Sequence, residues 1–226
     1  MSKHLKKYAA PKSWNVQRKD LKFIKKPNPG PNNCETSQSI NLTLKMLKVA
    51  KTAREVKKIL NSSEVLVDGR RVLDPKFPVG LFAVLSFSQT KEQYRMMLDV
   101  KGRLVASPTD SEHAKVKVCK IINKTVLRKG KLQVNCSDGR NIVVKENSYK
   151  VGDSLIINLS DQAIKEHLSF APGAEIMLVA GKQSGERGIL TGVLKNKISY
   201  KEREQEAETK KEYAFVIGPS KLIKLP

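Results

Sequence analysis

The sequence carries an excess of positive charge that limits how the chain can fold by itself. Lysine and arginine number 43 against 22 aspartate and glutamate residues, which gives a net charge of +21 over 226 residues. A compact chain with so many charges of one sign repels itself unless a polyanion neutralises it. Nucleic acid fits this role, because neutralising its phosphates releases condensed counterions and favours binding. A membrane surface is a poorer partner, since the basic segment near the amino terminus has no amphipathic apolar face.

The remaining composition indicates a folded protein of small domains. Hydrophobic residues make up 39% of the chain, which is enough for real cores and too many for a disordered polycation. The three cysteines, Cys34, Cys119 and Cys136, are far apart and form no C-x-x-C pair, so neither a zinc site nor a disulfide framework is expected. No apolar run is long enough to span a bilayer, and no hydrophobic segment follows the basic start as a secretory signal requires. We expect a soluble, cytoplasmic protein without metal or cofactor.

Residues 1–36 form a basic, proline-containing extension without sustained periodicity. Proline favours extended backbone and lacks an amide donor. We therefore expect this arm to be disordered in isolation and to fold on a partner. Tyr8, Trp14 and Phe23 are interleaved with its cations, and aromatic rings on a basic arm can stack on bases. The alternative is a simple solubilising tail.

Residues 37–90 predict a small α+β module. A first helix is expected over about 40–49. A second begins after Thr52, which with Glu55 three residues later makes a capping box. Residues 65–72 then predict a strand, an Asp-Gly turn and a second strand.

Both predicted helices place basic or polar side chains on one face. These residues are Asn41, Lys45 and Lys48 in the first helix and Lys51, Arg54 and Lys58 in the second. In the second helix, apolar residues at helical spacing fall on the opposite side. One such face would be an ordinary solvated surface. Two of them, together with Arg70 and Arg71 at the hairpin turn, favour a binding surface.

Residues 91–170 contain several short β-like runs with turn signals, which predict a small barrel or curled sheet. They contain no catalytic arrangement. His113 and His167 have no cysteine or carboxylate set at ligand spacing, so both are interpreted as solvated surface histidines.

Residues 171–226 begin with a strand, a glycine-rich loop over 180–188 and a returning strand. Glycines at 181, 185 and 188 would allow positive φ and close approach to a phosphodiester. A nucleotide-phosphate loop is the competing interpretation, but no helix follows the loop and the Gly-Lys-Ser/Thr ending is absent. The charged stretch 201–212 predicts an exposed loop or a short solvated helix.

These segments resemble known units in a known order. The paired helices followed by V-L-V-D-G-R-R-V resemble the S4-type RNA-binding domain, and the strand, glycine loop and strand of 175–194 resemble a KOW motif. With the basic arm, the whole chain resembles the S4e family of small-subunit ribosomal proteins of archaea and eukaryotes. The segments that carry this resemblance are 3–6 with 9–12, 67–69, 77–80, 99–103 and 151–154.

The resemblance implies a non-catalytic role: binding small-subunit ribosomal RNA beside neighbouring ribosomal proteins, with no small-molecule substrate. The implied fold is a multi-domain, mostly-β α+β protein. Its parts are an RNA-binding extension (1–36), an S4-type domain (37–90), a central β-barrel-like domain (91–170) and a C-terminal SH3-like KOW barrel (171–226).

The resemblance also implies which residues contact RNA. These are Lys3, His4, Lys6, Lys7, Lys12, Trp14, Arg18, Lys19, Lys22, Asn41, Lys45, Lys48, Lys51, Arg54, Lys58, Arg70, Arg71, Lys182 and Arg187. One position departs from the family pattern, because Glu186 follows Gly185 where a basic residue is usual.

Three other functions fit parts of the sequence. S4-type domains also occur in pseudouridine synthases, but the catalytic Asp of their G-R-L-D segment is replaced by Val105 in the matching residues 102–105. A KOW-type transcription factor would not carry the S4-type domain and the arm. A general RNA chaperone fits the charge and differs in one testable property, since it would bind many RNAs equally.

Overall fold

A computed structural model describes residues 4–17, 19, 21–144, 147–202 and 205–218. The chain divides into two compact units, one built from residues up to 99 with 103–114, and the other from 100–102 with residues from 115 onward. Lys3 and Arg18, both predicted to contact RNA, lie outside the described residues. Within those described ranges, no helix is both long and apolar enough to cross a membrane.

The first unit combines two α-helices with nine short strands in its described part. Their bounds are β1 Leu5–Lys6, β2 Phe23–Ile24, β3 Ser37–Ser39, α1 Ile40–Met46, α2 Ala53–Ser62, β4 Val65–Val67, β5 Arg70–Arg71, β6 Pro78–Gly80, β7 Val84–Phe87, β8 Gln93–Leu98 and β9 Leu104–Pro108. The main sheet has the order β5-β4-β7-β8-β9, while β1 pairs with β2 and β3 with β6. All of these pairings are antiparallel.

The predicted capping box is confirmed at the start of α2. The Thr52 side chain accepts a hydrogen bond from the Glu55 backbone N–H at 3.2 Å, and the Glu55 carboxylate accepts one from the Thr52 N–H at 3.4 Å. The predicted end of the first helix is wrong. Helix α1 ends at Met46, and Lys48 has a positive φ of 59°, which turns the chain out of the helix.

The main sheet crosses the domain boundary predicted at residue 90. Strands β8 and β9, which we assigned to the central domain, extend the sheet beyond β7. The sequence does not reveal this pairing, because short β-like runs look alike whichever sheet they join. The central domain expected over 91–170 therefore loses its first two strands to the helical unit.

The second unit is all β apart from short turns in its described part. Its strands are β10 Val116–Val126, β11 Leu132–Cys136, β12 Asn141–Val144, β13 Ser154–Asn158, β14 Ile164–Leu168, β15 Glu175–Leu178, β16 Arg187–Val193, β17 Lys197–Glu202, β18 Gln205–Lys210 and β19 Ala214–Val216. They form two five-stranded antiparallel sheets, β12-β11-β10-β13-β14 and β18-β17-β16-β15-β19. The described part of the chain is thus mostly β with two α-helices, as predicted.

Over its described residues the charged stretch 201–212 is mostly strand, ending β17 at Glu202 and forming β18 over Gln205–Lys210, and our prediction of a loop or helix over these strands is wrong. Strand β18 pairs with β17 along its whole length, with Lys201 opposite Glu206. Lys197 Nζ lies 3.4 Å from the Glu208 carboxylate across the two strands. Because β18 is an edge strand, its residues can be polar on both faces, and the alternation that marks a half-buried strand is missing.

Candidate nucleic-acid interface

The arm folds around Trp14. Its side chain is only 3% exposed, and its indole N–H donates hydrogen bonds to the backbone carbonyls of Ser37 at 2.8 Å and Cys34 at 3.1 Å. The Leu104 N–H donates to the Ser13 carbonyl at 2.7 Å, which attaches the arm to β9. The described part of the arm around Trp14 is therefore packed against residues 34–37 and β9, and its disorder before partner binding stays a prediction. Trp14 is a core residue and cannot stack on RNA, so its predicted contact is withdrawn.

Most of the described arm residues that are predicted to contact RNA are exposed. The exposed ones among those predicted are His4, Lys6, Lys12, Lys19 and Lys22. Lys7 differs, because it is buried at 8% exposure and its backbone N–H donates to the Lys22 carbonyl at 3.0 Å. Lys7 thus belongs to the fold of the arm rather than to its outer surface.

Helix α2 presents the basic face that the sequence predicts. Lys51, Arg54 and Lys58 are all exposed, while Val56 and Leu60 on the other side are fully buried. Lys57 is exposed as well and lies three residues beyond Arg54, at a spacing that puts both on one helix surface. The sequence analysis missed Lys57, although the same helical spacing would have found it.

The face predicted for α1 is only partly present. Lys48 is exposed and Lys45 is half-buried, but Asn41 is buried at 4% exposure. The Asn41 backbone N–H donates to the Pro75 carbonyl at 3.2 Å. Asn41 is therefore removed from the proposed RNA surface, because the first turn of α1 lies inside the unit.

The hairpin between β4 and β5 holds Arg70 and Arg71 outward. Asp68 and Gly69 both have positive φ, of 51° and 80°, as a tight two-residue hairpin turn requires. The Asp68 carboxylate accepts a hydrogen bond from the Val84 N–H at 2.9 Å, and the Asp68 N–H donates to the Val84 carbonyl at 2.8 Å. The turn is thus tied to β7, so both exposed arginines project from a fixed support.

A buried arginine lies within the same unit. Arg95 on β8 is 1% exposed, and its guanidinium donates to the His113 carbonyl at 2.6 Å. Burial lowers its pKa to about 10, while the negative charge of Asp68 acts in the opposite direction. Arg95 therefore remains protonated at neutral pH as a structural cation, and it is not part of the exposed basic surface.

The glycine-rich loop of the second unit joins β15 to β16. Gly181 and Gly185 have positive φ of 98° and 96°, as predicted, and Lys182 between them is exposed. Gly188 serves another purpose, because a Cβ there would come within 2.7 Å of the Tyr200 ring. The positive φ predicted for Gly188 is wrong, and its small size is needed for packing against β17 instead.

Glu186 turns toward the sheet. Its carboxyl is near Tyr200 and Glu202, and burial together with the neighbouring Glu202 carboxyl raises its pKa. The side chain of Tyr200 is fully buried. Glu186, the residue that departs from the family pattern, thus lies beside other residues of the sheet. Arg187, next to it in the chain, is half-buried.

The histidines and cysteines of the described chain are not arranged for chemistry. His167 Nε2 lies 2.7 Å from the Asp153 carboxylate, in a pair and not as an isolated surface residue. Cys119 and Cys136 are buried free thiols, and burial raises the pKa of Cys136 to about 12. Over the part of the chain that the structure describes, no group of three or more His, Cys, Asp or Glu side chains is placed to hold a metal ion.

Comparison with known proteins finds matches along most of the chain. Three family models match in succession: the RS4NT (NUC023) domain over residues 1–34, the S4 domain over 40–85, and ribosomal family S4e over 90–164. Small ribosomal subunit protein eS4 of Archaeoglobus fulgidus is 38% identical, with 95% of this chain and 93% of the relative covered. The eS4 protein of Methanocaldococcus jannaschii is 39% identical, with 99% and 97% covered.

A solved structure agrees with these relatives. The 30S ribosomal protein S4e from Thermoplasma acidophilum matches with a TM-score of 0.72 at 29% identity, covering 82% of this chain and 97% of that chain. The similarity extends over nearly the full length of the chain and of the relatives, and it includes both the sequence and the fold. The chain therefore belongs to the eS4 (S4e) family of small ribosomal subunit proteins.

Proposed function

We propose that this protein is a structural constituent of the small ribosomal subunit in the cytoplasm, where it binds and stabilises ribosomal RNA and contacts neighbouring ribosomal proteins. The observation that carries the proposal is the similarity to eS4 proteins over more than nine-tenths of the chain. These relatives are named as ribosomal proteins and not as enzymes. Catalysis therefore has no part in the proposed role.

The first unit supplies the RNA surface in this proposal. Its contacts are the exposed cations of the arm, the outer face of α2 and the hairpin arginines. Such a surface recognises folded RNA through its shape and its phosphates rather than through base sequence. With on the order of ten phosphate contacts, affinity would fall by roughly 10³-fold or more between low and moderate salt.

The second unit adds a KOW-type element. Strands β15 and β16 with the 181–188 loop have the strand, glycine loop and strand arrangement of that motif, within a five-stranded sheet. Lys182 is the exposed cation of this loop and its proposed phosphate contact. Arg187, at the base of the loop, is a further proposed phosphate contact. Glu186 turns toward Tyr200, so the charged side chain on the loop surface is that of Lys182.

The α2 face offers a direct test with a matched control. The test variant reverses Lys51, Arg54 and Lys58 to glutamate together. The control reverses three exposed lysines of the second unit, Lys150, Lys165 and Lys195. Both variants change the net charge equally, so a general loss of electrostatic attraction affects them alike. Binding is measured by filter retention on a transcript of the small-subunit ribosomal RNA and on an unrelated RNA of equal length, over a range of salt.

The proposal predicts that the α2 variant binds the ribosomal transcript more weakly than the control does, with a shallower dependence of affinity on salt. Equal losses in both variants would remove the α2 face from the account. Equal affinity of the wild-type protein for both RNAs would favour an RNA chaperone.

A further inference from the structure

Two aromatic rings and one leucine remain exposed on the arm although Trp14 is buried. Tyr8 is 73% exposed, Leu21 65% and Phe23 49%. Isolated apolar side chains on a surface need no explanation. Here, however, the exposed rings lie on the most basic segment of the chain, among cations that are exposed with them.

The surroundings of Phe23 are well defined. Phe23 lies on β2 directly opposite Lys6 of β1, and cross-strand partners project from the same face of a strand pair. The His4 ring meets the Phe23 ring edge to face, with centroids 5.3 Å apart and planes at 87°. The Lys22 ammonium lies 5.5 Å from the Phe23 ring centroid.

The ammonium of Lys22 lies over one face of the Phe23 ring, and both residues are exposed. A base that stacks on this face takes the place of the ammonium, which then pairs with a phosphate of the same strand. Lys6 offers a second cation on the same side.

This combination of an aromatic face and two cations matches one nucleotide of a single strand. A base can stack on the ring only when its own face is not covered by neighbouring bases, which excludes a base inside a duplex. The phosphates on either side of that base carry the charges that Lys6 and Lys22 complement.

We propose that Phe23, flanked by His4, Lys6 and Lys22, stacks on an unpaired base of the bound RNA. This proposal rests on the RNA-binding function proposed above and adds the chemistry of the ligand at the arm, a single-stranded nucleotide. Of the three rings interpreted from the sequence as able to stack on bases, Trp14 is buried, while Tyr8 and Phe23 are exposed.

The test uses the full-length protein with a short single-stranded oligoadenosine and an RNA duplex of the same length, in fluorescence anisotropy at fixed salt. Phe23→Leu removes the ring but keeps an apolar side chain, and Phe23→Tyr keeps the ring. Leu21→Ala is the control, since it removes another exposed apolar side chain of the same segment. Thermal unfolding of each variant checks that the fold is kept.

We expect Phe23→Leu to weaken binding of the single strand by roughly 5- to 150-fold, the range that corresponds to about 1–3 kcal/mol for one stacked base. Phe23→Tyr and Leu21→Ala should bind it like the wild type, and the affinity of every variant for the duplex should be unchanged. Unaltered single-strand binding by Phe23→Leu, or an equal loss on both RNAs, would overturn the stacking site. Failure of the wild type to bind the oligoadenosine would also overturn the stacking site, whereas the RNA-binding function itself is judged by filter retention on the small-subunit ribosomal transcript.

Discussion

Replacement of Trp14 distinguishes a tryptophan that stabilises the fold from one that binds RNA. The indole is 3% exposed and donates to the carbonyls of Ser37 and Cys34. Trp14→Phe keeps an aromatic ring but removes the donor, so a buried carbonyl loses its hydrogen bond at a cost of about 1–3 kcal/mol. Trp14→Ala also leaves a cavity, and core substitutions of this size cost about 3–5 kcal/mol.

The assay is urea denaturation followed by circular dichroism, because Trp14 is the one tryptophan of the chain and its replacement removes the usual fluorescence signal. RNA affinity is measured in parallel, without urea, on the variant that remains folded. We expect Trp14→Phe to lower the free energy of unfolding by about 1–3 kcal/mol and to leave RNA affinity unchanged. Weaker RNA binding at unchanged stability would refute the structural assignment of Trp14.

Three further changes and one matched control are tested by urea denaturation. Thr52→Ala removes the α2 cap and should cost about 1 kcal/mol, so an unchanged stability would argue against the cap. Gly188→Ala should cost about 1–3 kcal/mol, because the added Cβ would lie 2.7 Å from the Tyr200 ring. In Gly192→Ala on the same strand, the added Cβ meets nothing within 4 Å, so this control should be tolerated. Equal losses of stability in Gly188→Ala and Gly192→Ala would contradict the close packing of Gly188 on Tyr200. Burial lowers the pKa of Lys120 from 10.5 to about 8, so the unfolded chain binds more protons between those values and stability should rise with pH there. Lys120→Met should abolish this rise in the free energy of unfolding, which amounts to on the order of 3 kcal/mol. An identical pH profile in the variant would refute the lowered pKa of Lys120.

Features set by local chemistry could be predicted from the sequence. The Thr52 and Glu55 capping box depends on residues three positions apart, and it is present in the structure. The Asp-Gly turn before Arg70 requires two residues that tolerate positive φ, and both adopt it. The basic face of α2 follows from helical spacing alone.

Features set by distant contacts could not be predicted in this way. Trp14 is buried against residues distant in sequence, since its N–H donates to the carbonyls of Cys34 and Ser37, which lie 20 and 23 residues away in the chain. Asn41 has the spacing of an exposed residue, but the first turn of α1 lies inside its unit. A polar edge strand such as β18 shows no hydrophobic alternation, so its sequence is typical of a loop.

Sedimentation of a cell lysate through a sucrose gradient tests the central claim most directly. The chain is detected by antibody across the fractions after washes at low and at moderate salt. A structural role predicts stoichiometric co-migration with the small ribosomal subunit that survives the moderate-salt wash. A slowly sedimenting free pool, or an association that is lost at modest salt, would contradict a structural role in the subunit.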